Sequence, residues 1–135
     1  MAAELLEVRD IMTYPAITED GDVSVAEIAK CMKMSGISSV VITKGDNPVG
    51  IVTDRDVVTK VIMKGRNPGE AKAKEIISSP LMTIESDASL GSAGKVLIEK
   101  GIRRLPVIEN GELEGIVSLR NIVTGEPLHV RKYLF

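Results

Sequence analysis

The feature that most constrains the fold of this chain is an internal repeat. When the sequence is shifted by 65 positions, Gly36-Ile37 aligns with Gly101-Ile102 and Gly50-Ile51-Val52 aligns with Gly115-Ile116-Val117. Residues 8–60 and 73–125 share 14 identities over 53 aligned positions without a gap. Chance does not readily keep a single register for so long, so the chain is two copies of one supersecondary unit.

Both copies have the same predicted order of elements, β-α-β-β-α. In the first copy a short strand at residues 16–18 precedes a helix from Ser24 to about Ser35, for which Ser24 and Glu27 predict a capping box. Strands at residues 39–43 and 49–52 and a second helix from about Thr53 follow. In the second copy the corresponding strands are residues 81–84, 105–109 and 113–117, with helices capped by Ser89 and Ser118; the last two strands join across Asn110-Gly111, a strong hairpin signal.

The first helix of each copy has apolar residues at helical spacing, which predicts one buried face. Gly36 and Gly101 directly follow these helices and are predicted to end them in the left-handed conformation. The predicted buried residues are Val25, Ile28, Ala29 and Met32 in the first copy, and Leu90, Ala93, Leu97 and Ile98 in the second.

One repeat of about 50 residues is too small to bury much surface alone. We therefore predict an α/β (α+β) fold in which two tandem β-α-β-β-α repeats pack sheet to sheet with pseudo-two-fold symmetry and a cleft on each side. The predicted domains are residues 8–64 and 73–126. Residues 65–72 are the linker by composition, and residues 127–135 form a basic, apolar tail.

Composition and motifs exclude several classes of function. The net charge of −2 and an aromatic content of 2% argue against a nucleic-acid partner. Cys31 is the only cysteine and His129 the only histidine, so neither a Cys-cluster or multi-His metal site nor a histidine-based catalytic dyad is expected. No apolar run approaches the ~20 residues of a membrane span, and the N-terminus resembles no signal peptide. We expect a cytoplasmic protein that is not an enzyme and carries no catalytic cofactor.

Two motifs, each present twice, carry a family resemblance. Residues 36–42 and 101–108 open a strand with Gly-Ile-x-x-apolar, and residues 50–56 and 115–121 read Gly-Ile-Val-(Thr/Ser)-x-Arg-(Asp/Asn). With the order of elements, these segments resemble the CBS (cystathionine-β-synthase-type) domain family over about residues 8–125. The resemblance implies a Bateman module, a regulatory pair of CBS domains that binds AMP, ADP, ATP, S-adenosylmethionine or a related adenosyl ligand and assembles as a homodimer.

The resemblance also implies a ligand site shared between the repeats. In the family the equivalent of Asp56 holds the ribose and the equivalent of Thr53 contacts phosphate or ribose. The guanidinium groups of Arg103 and Arg104 suit phosphate oxygens. The apolar side chains of Leu81 and Met82 suit the two faces of an adenine ring. The implied ligand-binding residues are Thr53, Asp56, Ser78, Pro80, Leu81, Met82, Arg103 and Arg104.

The equivalent site made by the other halves of the repeats departs from this pattern. Asn121 replaces the ribose aspartate, and Ser38-Ser39 replace the arginine pair, so charge-assisted hydrogen bonds are lost. We expect this second site to be weaker or empty. Its implied residues are Thr13, Tyr14, Ala16, Ile17, Ser38, Ser39, Ser118 and Asn121.

The same residues allow a purely structural interpretation. Thr53 with Asp56 three positions later also forms a capping box, which stabilises a helix without any ligand. Arg103 and Arg104 also fit a solvated strand edge. Two functions therefore stay open: a sensor of adenosine nucleotides that acts on an unidentified regulated protein, and a protein–protein interaction module with vestigial ligand clefts.

Overall fold

The structure, a computed structural model, describes residues 6–78 and 80–127. These residues divide into two compact units. The first-sheet unit comprises residues 17–78 and 80–81, and the second-sheet unit comprises residues 6–16 and 82–127. In chain order the elements are α1 (Val8–Ile11), β1 (Thr18–Asp20), α2 (Val25–Ser35), β2 (Ser39–Lys44), β3 (Asn47–Thr53), α3 (Asp54–Val57), a π-helical turn (Val58–Ile62), a 3₁₀ turn (Ala73–Glu75), β4 (Ile84–Glu85), α4 (Leu90–Lys100), β5 (Arg104–Glu109), β6 (Glu112–Ser118) and α5 (Leu119–Thr124).

Each unit contains one three-stranded sheet, and the two sheets have the same topology. The strand orders are β1-β2-β3 and β4-β5-β6. In both sheets the first strand runs parallel to the second, and the second pairs antiparallel with the third. Both hairpins carry an irregularity at equivalent places, between Ile42 and Thr43 and between Val107 and Ile108. The predicted mixed α+β architecture of two repeats is confirmed at this level.

The predicted helix ends are confirmed. Ser24 Oγ accepts the amide of Glu27 at 3.1 Å, which is one half of the predicted capping box. Gly36 and Gly101 end α2 and α4 with φ of 69° and 63°. Asn110 and Gly111 also have positive φ, of 51° and 80°, as the tight hairpin requires.

The predicted buried faces are too wide, and the predicted first strands start too early. Ala29 is exposed, and Ile98 keeps 75% of its surface accessible, because the apolar stripe is narrower than the spacing suggested. The first strands are Thr18–Asp20 and Ile84–Glu85 instead of residues 16–18 and 81–84. In the first repeat the amide of Ala16 donates instead to the carbonyl of Glu114 in the second-sheet unit, 3.0 Å away.

Each unit has its own aliphatic core. In the first-sheet unit, residues of α2 such as Val25 and Ile28 pack with Val40, Val52 and Ile76. In the second-sheet unit, Leu90, Ala93 and Leu97 of α4 pack with the inner face of β5 and β6, and with Val8 and Ile11 of α1. Both cores are thus built mainly from branched aliphatic side chains, in a chain with almost no aromatic residues.

The segment at the start of each repeat packs against the sheet of the other repeat. Thr13 forms a bridge with Ile116, in which the Thr13 amide donates to the Ile116 carbonyl at 2.8 Å and the Ile116 amide donates back at 2.9 Å. The equivalent contact in the first-sheet unit is the amide of Ser78 donating to the carbonyl of Ile51 at 3.1 Å. The compact units are therefore built by a reciprocal exchange of these segments between the repeats.

The exchanged segments lie close against a glycine of the adjoining strand. A Cβ atom at Gly115 would be 2.5 Å from the carbonyl oxygen of Thr13, and one at Gly50 would be 2.7 Å from Cβ of Ile77. Both glycines begin the repeated Gly-Ile-Val motif. At Gly115 glycine is needed because the backbone of Thr13 passes too near for any side chain, whereas at Gly50 the space is taken by the side chain of Ile77.

Ion pairs link residues 66–75 to one another and to Asp22 in the first-sheet unit. Lys74 Nζ is 2.7 Å from Asp22 Oδ1, and this hydrogen bond and charge hold the pKa of Asp22 below its ordinary value of 3.8. The pKa of Glu75 is also lowered, by a hydrogen bond from the Lys72 amide and by Arg66, whose Nη2 lies 2.7 Å away. These contacts are solvent-exposed, so each contributes little to stability.

Removing one of these ion pairs should give a small, pH-dependent loss of stability. A carboxyl group with a lowered folded pKa stabilises the protein above its unfolded pKa, and this stabilisation is lost as the pH falls through the folded value. Lys74→Met should therefore lower Tm slightly at pH 7 relative to the wild type. Thermal melts between pH 7 and 3 should find the difference shrinking below about pH 4. Lys33→Met, on an exposed part of α2, is the control and should cause no such pH-dependent difference.

Within residues 6–78 and 80–127, no helix has the length and apolar character needed to cross a membrane.

Candidate functional site

Thr53 and Asp56 form a complete capping box at the junction of β3 and α3. Thr53 Oγ1 accepts the amide of Asp56 at 3.2 Å. In return, Asp56 Oδ2 accepts both the amide of Thr53 at 2.8 Å and its hydroxyl at 3.0 Å. The side chain of Asp56 is 11% exposed. The structural interpretation of this pair is thus confirmed, and it fixes the carboxylate in one orientation.

The second oxygen of Asp56 faces Lys60, which the sequence analysis did not single out. Lys60 Nζ lies 3.1 Å from Asp56 Oδ1 and also donates to the carbonyl oxygen of Ile76 at 3.1 Å. The lysine side chain is 40% exposed and belongs to the π-helical turn. An acid followed four residues later by a lysine is a known helical ion-pair spacing, so the sequence did contain a signal for this contact.

The first-sheet unit brings together part of the predicted ligand site. Lys60 links Asp56 to Ile76, and two residues further on Ser78 pairs with Ile51 of β3. Thr53, Asp56, Ser78, Pro80 and Leu81 all belong to this unit. The structure places the other three predicted residues, Met82, Arg103 and Arg104, in the second-sheet unit, and their share in a common site stays a prediction.

In the second-sheet unit, Asn121 makes the same capping contacts as Asp56, but its second side-chain polar atom has a different partner. Asn121 Oδ1 accepts the amide of Ser118 at 2.7 Å and its hydroxyl at 2.9 Å. The amide nitrogen Nδ2 donates to the carbonyl oxygen of Glu126 at 3.0 Å. Asn121 is fully buried, and the position equivalent to Lys60 is Gly125, which ends α5 with φ of 69°. The aspartate has a cation beside it, whereas the asparagine has a carbonyl.

The other residues of the predicted second site are divided between the units. Thr13, Tyr14, Ala16, Ser118 and Asn121 belong to the second-sheet unit, whereas Ile17, Ser38 and Ser39 belong to the first-sheet unit. Tyr14 is 62% exposed, whereas Thr13, Ser39 and Ser118 are buried. Ligand binding by this set stays a prediction.

Exchanging the two side chains should destabilise both positions, although each residue type caps a turn well. In Asp56→Asn the amide nitrogen would face the ammonium of Lys60, so a donor meets a donor. In Asn121→Asp a carboxylate oxygen would face the Glu126 carbonyl, so an acceptor meets an acceptor within a buried site. We expect Asn121→Asp to lose about 1–3 kcal/mol in free energy of unfolding, and Asp56→Asn to lose less, because the 40% exposed lysine can turn away.

Urea denaturation of the two variants tests this assignment. Adding Lys60→Met to Asp56→Asn should restore part of the lost stability, because it removes the donor–donor contact. If Asp56→Asn and Asn121→Asp were both as stable as the wild type, the hydrogen-bond partners would not explain why aspartate stands at position 56 and asparagine at position 121.

Comparison with known proteins gives the family. The family model described as CBS domain matches residues 8–62 and 73–125. This chain belongs to the CBS domain family and contains a pair of its domains. Such pairs are typically regulatory or ligand-binding modules.

Individual relatives agree over most of this chain. An uncharacterized protein of Methanopyrus kandleri is 42% identical over 124 residues, which are 90% of this chain and 63% of that protein. This chain thus spans less than two thirds of that relative. Hypoxic response protein 1 of Mycobacterium tuberculosis is 30% identical over 122 residues, 90% of this chain and 85% of the relative. Neither name is enzymatic.

Solved structures are similar in fold. Hypoxic Response Protein I, solved with two coordinated zinc ions, is 29% identical with a TM-score of 0.78, over 90% of this chain and all of that one. A hexameric CBS-CP12 protein from bloom-forming cyanobacteria is 29% identical with a TM-score of 0.82, over 88% and 71% of the two chains. Within the described part of the present chain, no group of three His, Cys, Asp or Glu residues is placed to hold a metal ion.

Proposed function

We propose that this chain is a non-catalytic sensor module that binds an adenosine nucleotide or a similar adenosyl ligand, and that Asp56 accepts a ribose hydroxyl. The observation that carries the proposal is the state of the Asp56 carboxylate. It is held rigidly by Thr53 at the end of β3 and is largely buried, yet its side chain keeps 11% of its surface exposed. Membership of the CBS family supports the ligand class.

The hydrogen-bonding capacity of Asp56 agrees with this role. A carboxylate has about four acceptor positions. Among the described residues, two contacts from Thr53 fill Oδ2 and one from Lys60 partly fills Oδ1. One acceptor position on Oδ1 is therefore available for a hydroxyl group, and a bond to a charged acceptor is stronger than one between neutral groups.

Two measurements test the proposed function. Acid denaturation of the purified protein should release a co-purified adenine nucleotide into the supernatant if the ligand binds tightly. Isothermal titration with AMP, ADP, ATP, S-adenosylmethionine and NAD should then identify the ligand, with GMP as the control for the base. Absence of binding across the whole panel would contradict the proposal.

A second candidate function, a protein interaction module, is favoured by exposed apolar side chains. Val58, Ile62 and Met63 are 51%, 57% and 72% exposed in the first-sheet unit. In the second-sheet unit Leu119, Val123 and Ile98 are 40%, 78% and 75% exposed. Exposed apolar groups of this size favour association with another chain.

Self-association is the form of this second function that we propose. The hexameric state of the CBS-CP12 protein, a structure of similar fold, supports this form. Light scattering at high micromolar concentration should give at least the mass of a dimer, and Val123→Glu or Ile62→Glu should lower it. A monomer at that concentration would exclude this form of the second function.

A further inference from the structure

We propose that Lys60 is a ligand-contacting residue, and that Lys60 and Asp56 together bind a single sugar hydroxyl as donor and acceptor. This inference rests on the proposed function, because it adds a second residue to the same hydroxyl-binding position. Its basis is the contact of 3.1 Å between Lys60 Nζ and Asp56 Oδ1, in which the lysine side chain is 40% exposed and the aspartate side chain keeps 11% of its surface exposed.

The capacity of the ammonium group complements that of the carboxylate. An ammonium group has three N–H donors. Among the described residues, Lys60 uses one on Asp56 and one on the carbonyl oxygen of Ile76. One donor is left on Lys60 beside one acceptor position on Asp56. A hydroxyl group is the ligand group that satisfies both at once, because it donates one hydrogen bond and accepts others.

Two anchors hold the lysine in this place. Asp56 is fixed by the capping box with Thr53, and the Ile76 carbonyl belongs to the segment that pairs with β3 through Ser78. The lysine also lies in the π-helical turn Val58–Ile62, where the Met63 amide donates to the Val58 carbonyl at 2.8 Å. Single π turns that continue α-helices are frequently found at functional sites.

The second repeat provides an internal comparison. Its capping contacts are the same, but Gly125 replaces the lysine and Asn121 replaces the aspartate. The polar atoms of Asn121 bond Ser118 and Glu126, and the residue is fully buried. Among the described residues, therefore, only the first repeat has at this position an exposed donor beside an acceptor that is not completely buried.

The consequence is selectivity for the ribose form of a ligand. A hydroxyl that bonds both residues contributes more than one that bonds the carboxylate alone. A deoxy ligand would leave the ion pair of Lys60 and Asp56 intact, but the remaining donor and the remaining acceptor position would lack the hydroxyl group as a partner. We expect the wild type to bind AMP at least about tenfold more tightly than either 2′-deoxyAMP or 3′-deoxyAMP, whichever lacks the bridging group, which corresponds to ~1.4 kcal/mol.

The experiment measures this discrimination by isothermal titration in the wild type and in variants of the full chain. Lys60→Met keeps the length of the side chain but removes the donor, and it should reduce the discrimination to about threefold or less. Lys60→Arg retains donors and charge and should restore most of it. Lys64→Met, an exposed position nearby in sequence, has the same change in net charge and should leave the discrimination unchanged.

The outcomes separate this inference from the proposed function. If AMP binds and Lys60→Met discriminates as well as the wild type, the role of Lys60 is wrong while the proposed function stands. An equal loss for AMP and both deoxy ligands would reduce Lys60 to a general electrostatic contribution and would also overturn the inference. If the wild type binds none of the three, the inference is overturned, whereas the proposed function fails only if ADP, ATP, S-adenosylmethionine and NAD do not bind either. Thermal melts of each variant establish that it is folded. If Lys60→Met does not fold, Lys60→Arg still tests the inference.

Discussion

Replacing Asp56 by alanine should lower nucleotide affinity at least about tenfold and lower the free energy of unfolding by about 2 kcal/mol. The affinity falls because a hydroxyl loses its charged acceptor. The stability falls because the Thr53 amide loses its partner in the capping box. The ion pair with Lys60 adds little to this loss, since the lysine is 40% exposed.

The matched control for Asp56→Ala is Asp54→Ala on the same turn. Asp54 is exposed, and its Oδ1 accepts only the amide of the next residue, Arg55, at 2.9 Å among the contacts of the described residues. Asp54→Ala removes the same charge without touching the proposed hydroxyl position, so the affinity for the nucleotide should stay within about twofold of the wild-type value. Titration and urea denaturation of both variants decide the matter. Lost stability with unchanged affinity would leave Asp56 with its capping role alone.

Gly115→Ala should be among the most destabilising single-methyl substitutions in the chain, at about 3 kcal/mol. The added Cβ would lie 2.5 Å from the Thr13 carbonyl oxygen and 2.8 Å from the sulfur of Met12. A methionine side chain can move, but the Thr13 carbonyl cannot, because it accepts the amide of Ile116 at 2.9 Å. The substitution therefore forces the exchanged segment away from the sheet.

Two further glycines make this prediction specific. Gly94→Ala, inside α4 with nothing within 4 Å of its Cβ position, should stabilise the protein by about 0.5–1 kcal/mol, since alanine favours a helix. Gly50→Ala should fall between the two, because its nearest atoms belong to the side chain of Ile77. Urea denaturation gives all three values. Equal effects at positions 94 and 115 would mean that close backbone approach is not why glycine begins the repeated motif.

The repeat made most of the architecture predictable from sequence. Helix caps at Ser24 and Ser118, the hairpin at Asn110-Gly111 and the order of elements all rest on local chemistry, which a single sequence contains. The exposure of Ile98 could not be read from spacing, because it depends on which part of α4 the sheet covers. The late start of β1 likewise depends on Ala16 bonding a strand that is distant in sequence.

The candidate site was predictable to a similar depth. The Thr53–Asp56 cap follows from a spacing of three residues, and it was found. The backbone partners that distinguish Asp56 from Asn121 were not predicted. The Ile76 carbonyl, which anchors Lys60, comes from a segment outside the sequence motif, and the Glu126 carbonyl lies just beyond the end of α5. Backbone groups leave no mark in the residue types, so such contacts emerge only once the chain is folded.

The reciprocal exchange of segments has a consequence for dividing the chain. A fragment cut at the repeat boundary, residues 73–127, would lack Val8 and Ile11 of α1, which complete the core of the second-sheet unit. It would also carry Ile76 without the core in which that side chain is buried. One repeat on its own thus has a core that lacks its α1 side chains. It also has a leading segment that can fill the equivalent gap in the core of a second copy. A single-repeat polypeptide is accordingly expected to fold by pairing with its own kind, each copy lending the other its leading segment.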